Sequence, residues 1–292
     1  MTRKRRTPSR NAKGPGAFRK FLRAAVLSAV ASFSVASYAI DPHLLEGVSV
    51  ERLLAVVGVG ERATPVAAPV GDLVQTQFSG CREFFPGGKP PQVPAAPSLR
   101  ELCFSGFAVL HSGQTKTPVF VAQRLNRVML QQAQEIERTD RFYAEARLPA
   151  VERAELDDYR GSGYARGHMA PAGDMHNDEV MEQSFSLANI VPHDMRHNSG
   201  TWSKIEQDTR KYIMRAKGDV YVFTGPVYGG RTETIGAGRV AVPTHLYKLV
   251  YDATTGRSWV HWQENSPDAK PGRSIRYKES VRLAGVHLLP MD

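Results

Sequence analysis

The sequence predicts an α+β domain, and three observations carry that prediction. The segment Thr201 to Lys217 repeats its apolar residues at helical spacing. Short β-rich runs stand on both sides of it. Two of these runs, His245 to Tyr251 and Ser258 to Trp262, flank a Thr254-Thr255-Gly256 turn, as a hairpin would. Strands on both sides of one long helix indicate a mixed α+β domain.

Within the helix, Trp202, Ile205, Thr209, Tyr212, Ile213 and Ala216 form the apolar set. Ser199 or Thr201 can cap its start and Gly218 stops it. Arg215 and Lys217 lie near its negative C-terminal end. Asp219 to Val227 then reads as a strand running into a turn. Upstream, Val119 to Ala122 is a strand candidate, and Phe185 to Val191 alternates enough for a short strand. Leu130 to Glu137 is polar and charged, a loop or short helix. Residues 138–160, with the pair Asp157-Asp158, read as solvated surface. The globular domain is expected over 71–292. Residues 40–70 carry little signal: an Ala/Val/Pro-rich linker runs from Val56 to Val70, and one short helix is expected over Val48–Val59.

The net charge of +9 suggests a polyanion partner, but its distribution does not. Residues 1–39 hold nine basic residues (Arg3, Lys4, Arg5, Arg6, Arg10, Lys13, Arg19, Lys20, Arg23) and no acidic ones, so the remainder sums to zero. Phosphate binding must therefore come from a local cluster. After Arg23 an uncharged stretch runs from Ala24 to Ile40, and Ser37-Tyr38-Ala39 places small residues before a cut. This layout reads as a secretory signal peptide over 1–39, hence export to the periplasm or medium and no stable membrane association after cleavage. An uncleaved membrane anchor is the alternative reading. Cys81 and Cys103 are the only cysteines. An even count in an exported chain suggests one disulfide, closing a Pro/Gly-rich loop; two free buried thiols are the alternative. No histidine stands at ligand spacing for a zinc site.

Chemistry concentrates in two segments. Gly161 to Asp174 contains Arg166-Gly167-His168 between glycine-rich turns. Gly167 lets the backbone approach closely and Pro171 fixes the chain beyond His168. Arg166 is a bidentate phosphate donor, and His168 is a base that titrates near neutrality. In the second segment, Asn198, Trp202, Glu206 and Arg210 follow at four-residue steps, drifting about 40° per step along one helix face. A neutral oxygen, a carboxylate and a guanidinium on one face suit a hard cation such as Mg²⁺, which keeps several waters. The bland reading makes Trp202 core and Glu206–Arg210 an ordinary surface pair. His176 and His197 read as solvated loop histidines, and His245 as structural. Trp259 and Trp262 read as sheet-packing residues.

Taken in order, Gly-Tyr-Ala-Arg-Gly-His-Met-Ala-Pro, Leu-Ala-Asn-Ile-Val-Pro and Asn-Ser-Gly-Thr-Trp-Ser-Lys-Ile-Glu resemble the DNA/RNA non-specific endonucleases of the ββα-metal superfamily. The likeness continues through residues 221–228 and 242–250, reaches back to 138–142 and 158–163, and covers roughly 105–265. It implies a ββα-metal fold, a mixed antiparallel sheet with the metal-site helix packed on it. It also implies His168 as general base and Asn198 as direct ligand of Mg²⁺ (or Mn²⁺). Glu206 would hold metal-bound water, and Arg166 and Arg210 would face phosphate. Asn189 would support the active-site loop. One further arginine, fitting either Arg138 or Arg141, would join them.

Phosphodiester hydrolysis needs those parts. A neutral imidazole takes the water proton, a cation acts as Lewis acid, and arginines spread the remaining charge. Contacts to phosphate and sugar carry no sequence information, so DNA and RNA are both expected substrates. Two positions depart from the family pattern. Ala165 stands where an aspartate usually precedes Arg-Gly-His, which leaves a weakened, nucleic-acid-binding relative as the alternative function. His193 stands where glutamine is frequent and reads as a polar loop residue. A structural protein with an incidental Arg-Gly-His loop is a further rival. A metalloprotease is disfavoured, since no His-Glu-x-x-His occurs.

Overall fold

A computed structural model describes residues 72–290. The leader read over 1–39, the segment 40–70 and the helix expected over Val48–Val59 lie outside the described residues. The described chain falls within the unit spanning Ala63–Asp292.

The element order begins with β1 (Leu73–Gln75), β2 (Gln92–Pro94), β3 (Leu99–Cys103), β4 (Ala108–Ser112), β5 (Thr117–Leu125) and α1 (Arg127–Ala133). After α2 (Leu156–Tyr159) come β6 (Tyr164–His168), α3 (Asp178–Ser184) and β7 (Ile190–Asp194). A helical turn at Met195–His197 and a wide π turn at Asn198–Trp202 lead into α4 (Ser203–Ile213). The chain finishes with β8 (Val220–Val227), β9 (Thr234–Ile235), β10 (Val240–Ala241), β11 (His245–Asp252), β12 (Arg257–Glu264) and α5 (Tyr277–Ala284).

Six strands form one antiparallel sheet in the order β12-β11-β8-β5-β4-β3. Its strands alternate between two cores because successive side chains point to opposite faces. Val109 and Val121 face one core, with Met169, Val180, Phe185, Trp202, Ile205 and Leu246. Ala108, Leu110, Phe120 and Ala122 face the other, with Phe85, Phe223, Leu249 and Val260. The first core matters for function, since it joins the sheet to the chain after His168 and to α4. On the second face, Cys81 and Cys103 form the expected disulfide, with Cα atoms 5.7 Å apart.

The hairpin β11/β12 closes at Gly256, whose φ of +68° suits a residue without Cβ. Trp262 stacks on Tyr247, and Trp259 meets Tyr212 edge-on, both against the sheet as expected.

Three expectations need correcting. Phe185 to Val191 is not one strand: Leu187–Asn189 forms a 3₁₀ turn and extension begins at Ile190. The long helix does not start at Thr201 with Ser199 or Thr201 as cap. Helical backbone begins earlier, in the turn Met195–His197, whose cap is Asp194: its Oδ1 accepts from the amides of Arg196 (3.0 Å) and His197 (2.9 Å), and α4 itself has no side-chain cap. Ser199 instead donates back to the Met195 carbonyl. Asp158 is not solvated surface; it is buried, accepting from the Gly238 amide at 2.6 Å and the Glu155 amide at 2.9 Å.

Candidate active site

β6 and β7 pair antiparallel, with His168 opposite Ile190 and Ala165 opposite His193. Gly167 leaves no room for a side chain on the face toward His193. A Cβ there would sit 2.5 Å from both Cβ and Nδ1 of His193, so the close approach expected of Gly167 is present. Beneath it His193 is fully buried, with Nε2 2.9 Å from Nδ1 of His197. The Trp202 ring lies 5.7 Å from the first imidazole and 5.9 Å from the second. These two histidines are therefore neither a loop residue nor a solvated one. They fill the space between the β6/β7 hairpin and the entry of α4, and burial lowers the pKa of both.

His168 ends β6 and is only 8% exposed. Phe142 and Phe185 pack around its ring at 5.4 and 4.9 Å between centroids. The Arg166 guanidinium lies 4.1 Å from the centre of the Phe142 ring, and that of Arg138 5.2 Å from Phe185. Burial above all, then the positive charge of Arg138 and of Arg166, pushes the imidazole pKa down to about 3; Asp140 opposes them. The ring is thus neutral at neutral pH. Its Nε2 is enclosed without a partner. Spacing left Arg138 and Arg141 open. Arg138 lies close enough to His168 to lower its pKa and is bonded to Asp140 at 2.7 Å; both Arg138 and Arg141 are exposed.

The chain beyond His168 is held by Asn189, which is fully buried. Its Oδ1 accepts from the Ala170 amide at 2.8 Å, and its Nδ2 donates to the carbonyls of Ala170 and Ser184, each at 2.9 Å. The Met169 amide donates to the Asn189 carbonyl at 2.9 Å. A 3₁₀ turn at Ala172–Asp174 then brings Asp174 to α4, where its Oδ1 accepts from Arg210 at 2.9 Å.

Glu206 lies one turn before Arg210 on α4. Burial pushes its carboxyl up to about 7, with Asp174 adding to the shift and Lys248 and Arg210 opposing it. Lys248 is itself buried on β11, donating to Thr224 Oγ1 at 2.8 Å, with its Nζ 5.5 Å from the Trp202 ring centre. Asp174 and Lys248 escaped the sequence reading. A lone lysine inside the apolar run Leu246 to Val250 was the available signal for the second. Asn265 also escaped it; its Oδ1 accepts from the Asp194 amide and its Nδ2 donates to the carbonyls of Pro192 and Pro243, which braces the end of β7.

Asn198 opens the π turn and is half-buried. Among the described residues its carboxamide makes no hydrogen bond, so its oxygen is free for a ligand. The described residues contain no cluster of three or more His, Cys, Asp or Glu suited to a metal. A site built on one amide oxygen and one carboxylate suits a hard cation that keeps most of its waters, not zinc. Two groups result: His168 with Arg138 and Arg166, and Glu206 with Arg210, Asp174 and Lys248. Asn189 holds the segment that joins them.

Comparison with known proteins gives this arrangement a context. Residues 90–282 match the family model described as DNA/RNA non-specific endonuclease. The mitochondrial nuclease EXOG of Homo sapiens is 33% identical over 159 residues, 51% of this chain and 43% of that protein. Mitochondrial endonuclease G of Bos taurus is 36% identical over 128 residues, 40% of this chain and 42% of that protein. The chain thus spans about half the length, or less, of these curated relatives. In a crystal structure titled as the EndoG/EndoGI complex, one chain superposes with a TM-score of 0.59 at 23% identity. The match covers 72% of this chain and 90% of that one. It shows the same fold, the ββα-metal nuclease fold expected from the sequence.

The same comparisons correct the expected destination. Nuclease relatives from Xenopus laevis, Homo sapiens, Bos taurus and Schizosaccharomyces pombe are named as mitochondrial, which points away from the periplasm or medium. The physical reason is compositional: an arginine-rich leader without acids is common to secretory and organelle-directed presequences.

Proposed function

The chain belongs to the DNA/RNA non-specific endonuclease family, and from that premise we propose that it is a divalent-metal-dependent endonuclease that hydrolyses phosphodiester bonds of DNA and RNA with little sequence preference. The nuclease domain in this reading is 71–292. One observation carries the proposal: a buried imidazole kept neutral beside two arginines, its Nε2 enclosed without a partner.

His168 is the general base. Its ring takes the proton of the attacking water, and the depressed pKa keeps it in the accepting form throughout the neutral range. Arg138 and Arg166, stacked on Phe185 and Phe142, face the phosphoryl oxygens and spread their charge. Arg138 is preferred to Arg141 because it adjoins His168. Arg210, anchored by Asp174, adds a third guanidinium from α4. Asn189 fixes the loop that follows the base. The amide oxygen of Asn198 would hold Mg²⁺ (or Mn²⁺), with Glu206 reaching it through water. When bound, the cation supplies Lewis acidity to a phosphoryl and the leaving oxygen. The substrate contacts in this reading go to phosphate and none to a base edge, which supports activity on both nucleic acids.

Ala165 favours a second reading, a relative that binds nucleic acid and cuts it poorly. Digestion of plasmid and RNA by the purified protein, with and without EDTA, separates the two. Cleavage abolished by EDTA and by His168→Ala or Asn198→Ala supports the nuclease. Binding with no cleavage under any divalent cation favours the second reading.

A further inference from the structure

A groove of about 510 Å³ opens beside Arg166 and Phe142, continuous with the group around His168 and extending away from it toward Arg160 and Leu156. Tyr164, Phe142 and Leu156 give it apolar walls, and Arg160 and Arg166 supply positive charge. On β6, Tyr164, Arg166 and His168 point to one side of the strand, since alternate residues share a face. At about 3.3 Å rise per residue, Tyr164 stands about 13 Å along the strand from His168. That separation reaches beyond a single phosphate, to a neighbouring nucleotide.

The walls are built for a flat, partly apolar ligand. The Tyr164 side chain is held by its hydroxyl, which donates to Glu233 at 3.2 Å. Leu156 is 40% exposed, an apolar side chain left open to solvent at the groove's edge. Arg160 is bound only to Asp157, at 2.9 Å in an ion pair whose side chains are about 80% exposed. Such a pair contributes little and exchanges readily for a phosphate. Ala165 lines the same groove.

We propose that this groove is a nucleotide subsite flanking the cleaved bond, which takes an unpaired base against Tyr164 and its phosphate on Arg160. The proposal deepens the nuclease reading by naming the substrate form the site favours: single-stranded or frayed ends, in which a base is free to leave its stack. Contacts to a ring face and a phosphate are indifferent to base identity, so the subsite adds affinity without sequence preference.

The test uses the full chain and single-stranded oligonucleotides carrying 2-aminopurine, bound in EDTA so that no cleavage is needed. Stacking on Tyr164 is expected to quench the fluorescence. Tyr164→Ala should abolish the quenching and raise Kd at least fivefold, while Tyr164→Phe retains both. Arg160→Ala, at an exposed position that does not threaten folding, should raise Kd at least threefold. It should also lessen the salt dependence of binding. An oligonucleotide with an abasic position at the flanking site should bind wild type as weakly as the intact one binds Tyr164→Ala, with no further loss in the variant. Unchanged Kd and quenching in both variants would overturn the subsite. Cleavage is read separately with a divalent cation. A wild-type protein that quenches but never cuts keeps the subsite and overturns the nuclease reading.

Discussion

His168 and Glu206 are shifted in opposite senses by the same cause. Burial favours the neutral form of each, so the imidazole is pushed down to about 3 and the carboxyl up to about 7. The consequences for stability are opposite as well. Below about pH 6.5 the unfolded chain takes up protons that the buried His168, His193, His197 and His111 refuse, so folding weakens as pH falls. Between pH 4.5 and 7 the folded state protonates Glu206 while the unfolded chain does not, which strengthens folding over the same descent. His176 and His261, also lowered by burial, add to the histidine side, against one carboxyl. Tm is therefore expected to drop between pH 7.5 and 5.5, and Glu206→Gln should steepen that drop; a flat Tm across this window would contradict the burial of the histidines. In catalysis, His168→Ala should lower kcat about 10²- to 10⁴-fold, the usual worth of a general base, with the fold intact by circular dichroism.

The element that matters most is the hairpin-and-helix unit of β6, β7 and α4. Its precision rests on contacts that sequence spacing does not reveal. Asp194 caps the turn that leads to Asn198 with two amide bonds, so Asp194→Ala should cost about 1 kcal/mol in urea denaturation. Cleavage should fall with it, because Asn198 follows directly from that turn. At Gly167 a methyl group has no room beside His193. Gly167→Ala is expected to destabilise by about 1–3 kcal/mol, as overpacking does, and to impair activity by parting β6 from β7. Normal stability with normal cleavage in that variant would show that the strands tolerate a wider spacing.

At the scale of the whole molecule, the six-stranded sheet separates two functions. One face packs the loop after His168 and α4; the other carries the disulfide and, among the described residues, Phe78, Val286 and Leu288. Cys81–Cys103 spans 22 residues, a closure worth about 3 kcal/mol in the chain-entropy model. Reduction, or Cys81→Ser with Cys103→Ser, should therefore lower Tm by several degrees. Specific cleavage at low temperature should be left nearly unchanged, since the bridge lies on the sheet face away from His168.

The sequence alone determined what depends on neighbours along the chain. The β11/β12 hairpin, β8 and the middle of β5 follow from local patterning, and the ordered motifs around His168 and Asn198 were enough to identify the family and its fold. Features set by distant partners required the tertiary structure. Asp158 looks like solvated charge until Gly238, 80 residues later, donates to it. His193 and His197 read as surface because an imidazole suits water and core alike; only the close approach at Gly167 encloses them. Lys248, Asp174 and Asn265 carry no motif, and their place beside Trp202, Arg210 and β7 exists only once the sheet and α4 have packed. Likewise the nearness of the Arg138 guanidinium to the Phe185 ring and to His168 is a tertiary feature that spacing does not carry. Periodicity encodes which face of an element is apolar. It does not encode which face meets which, and a buried charge or ring is defined by that meeting.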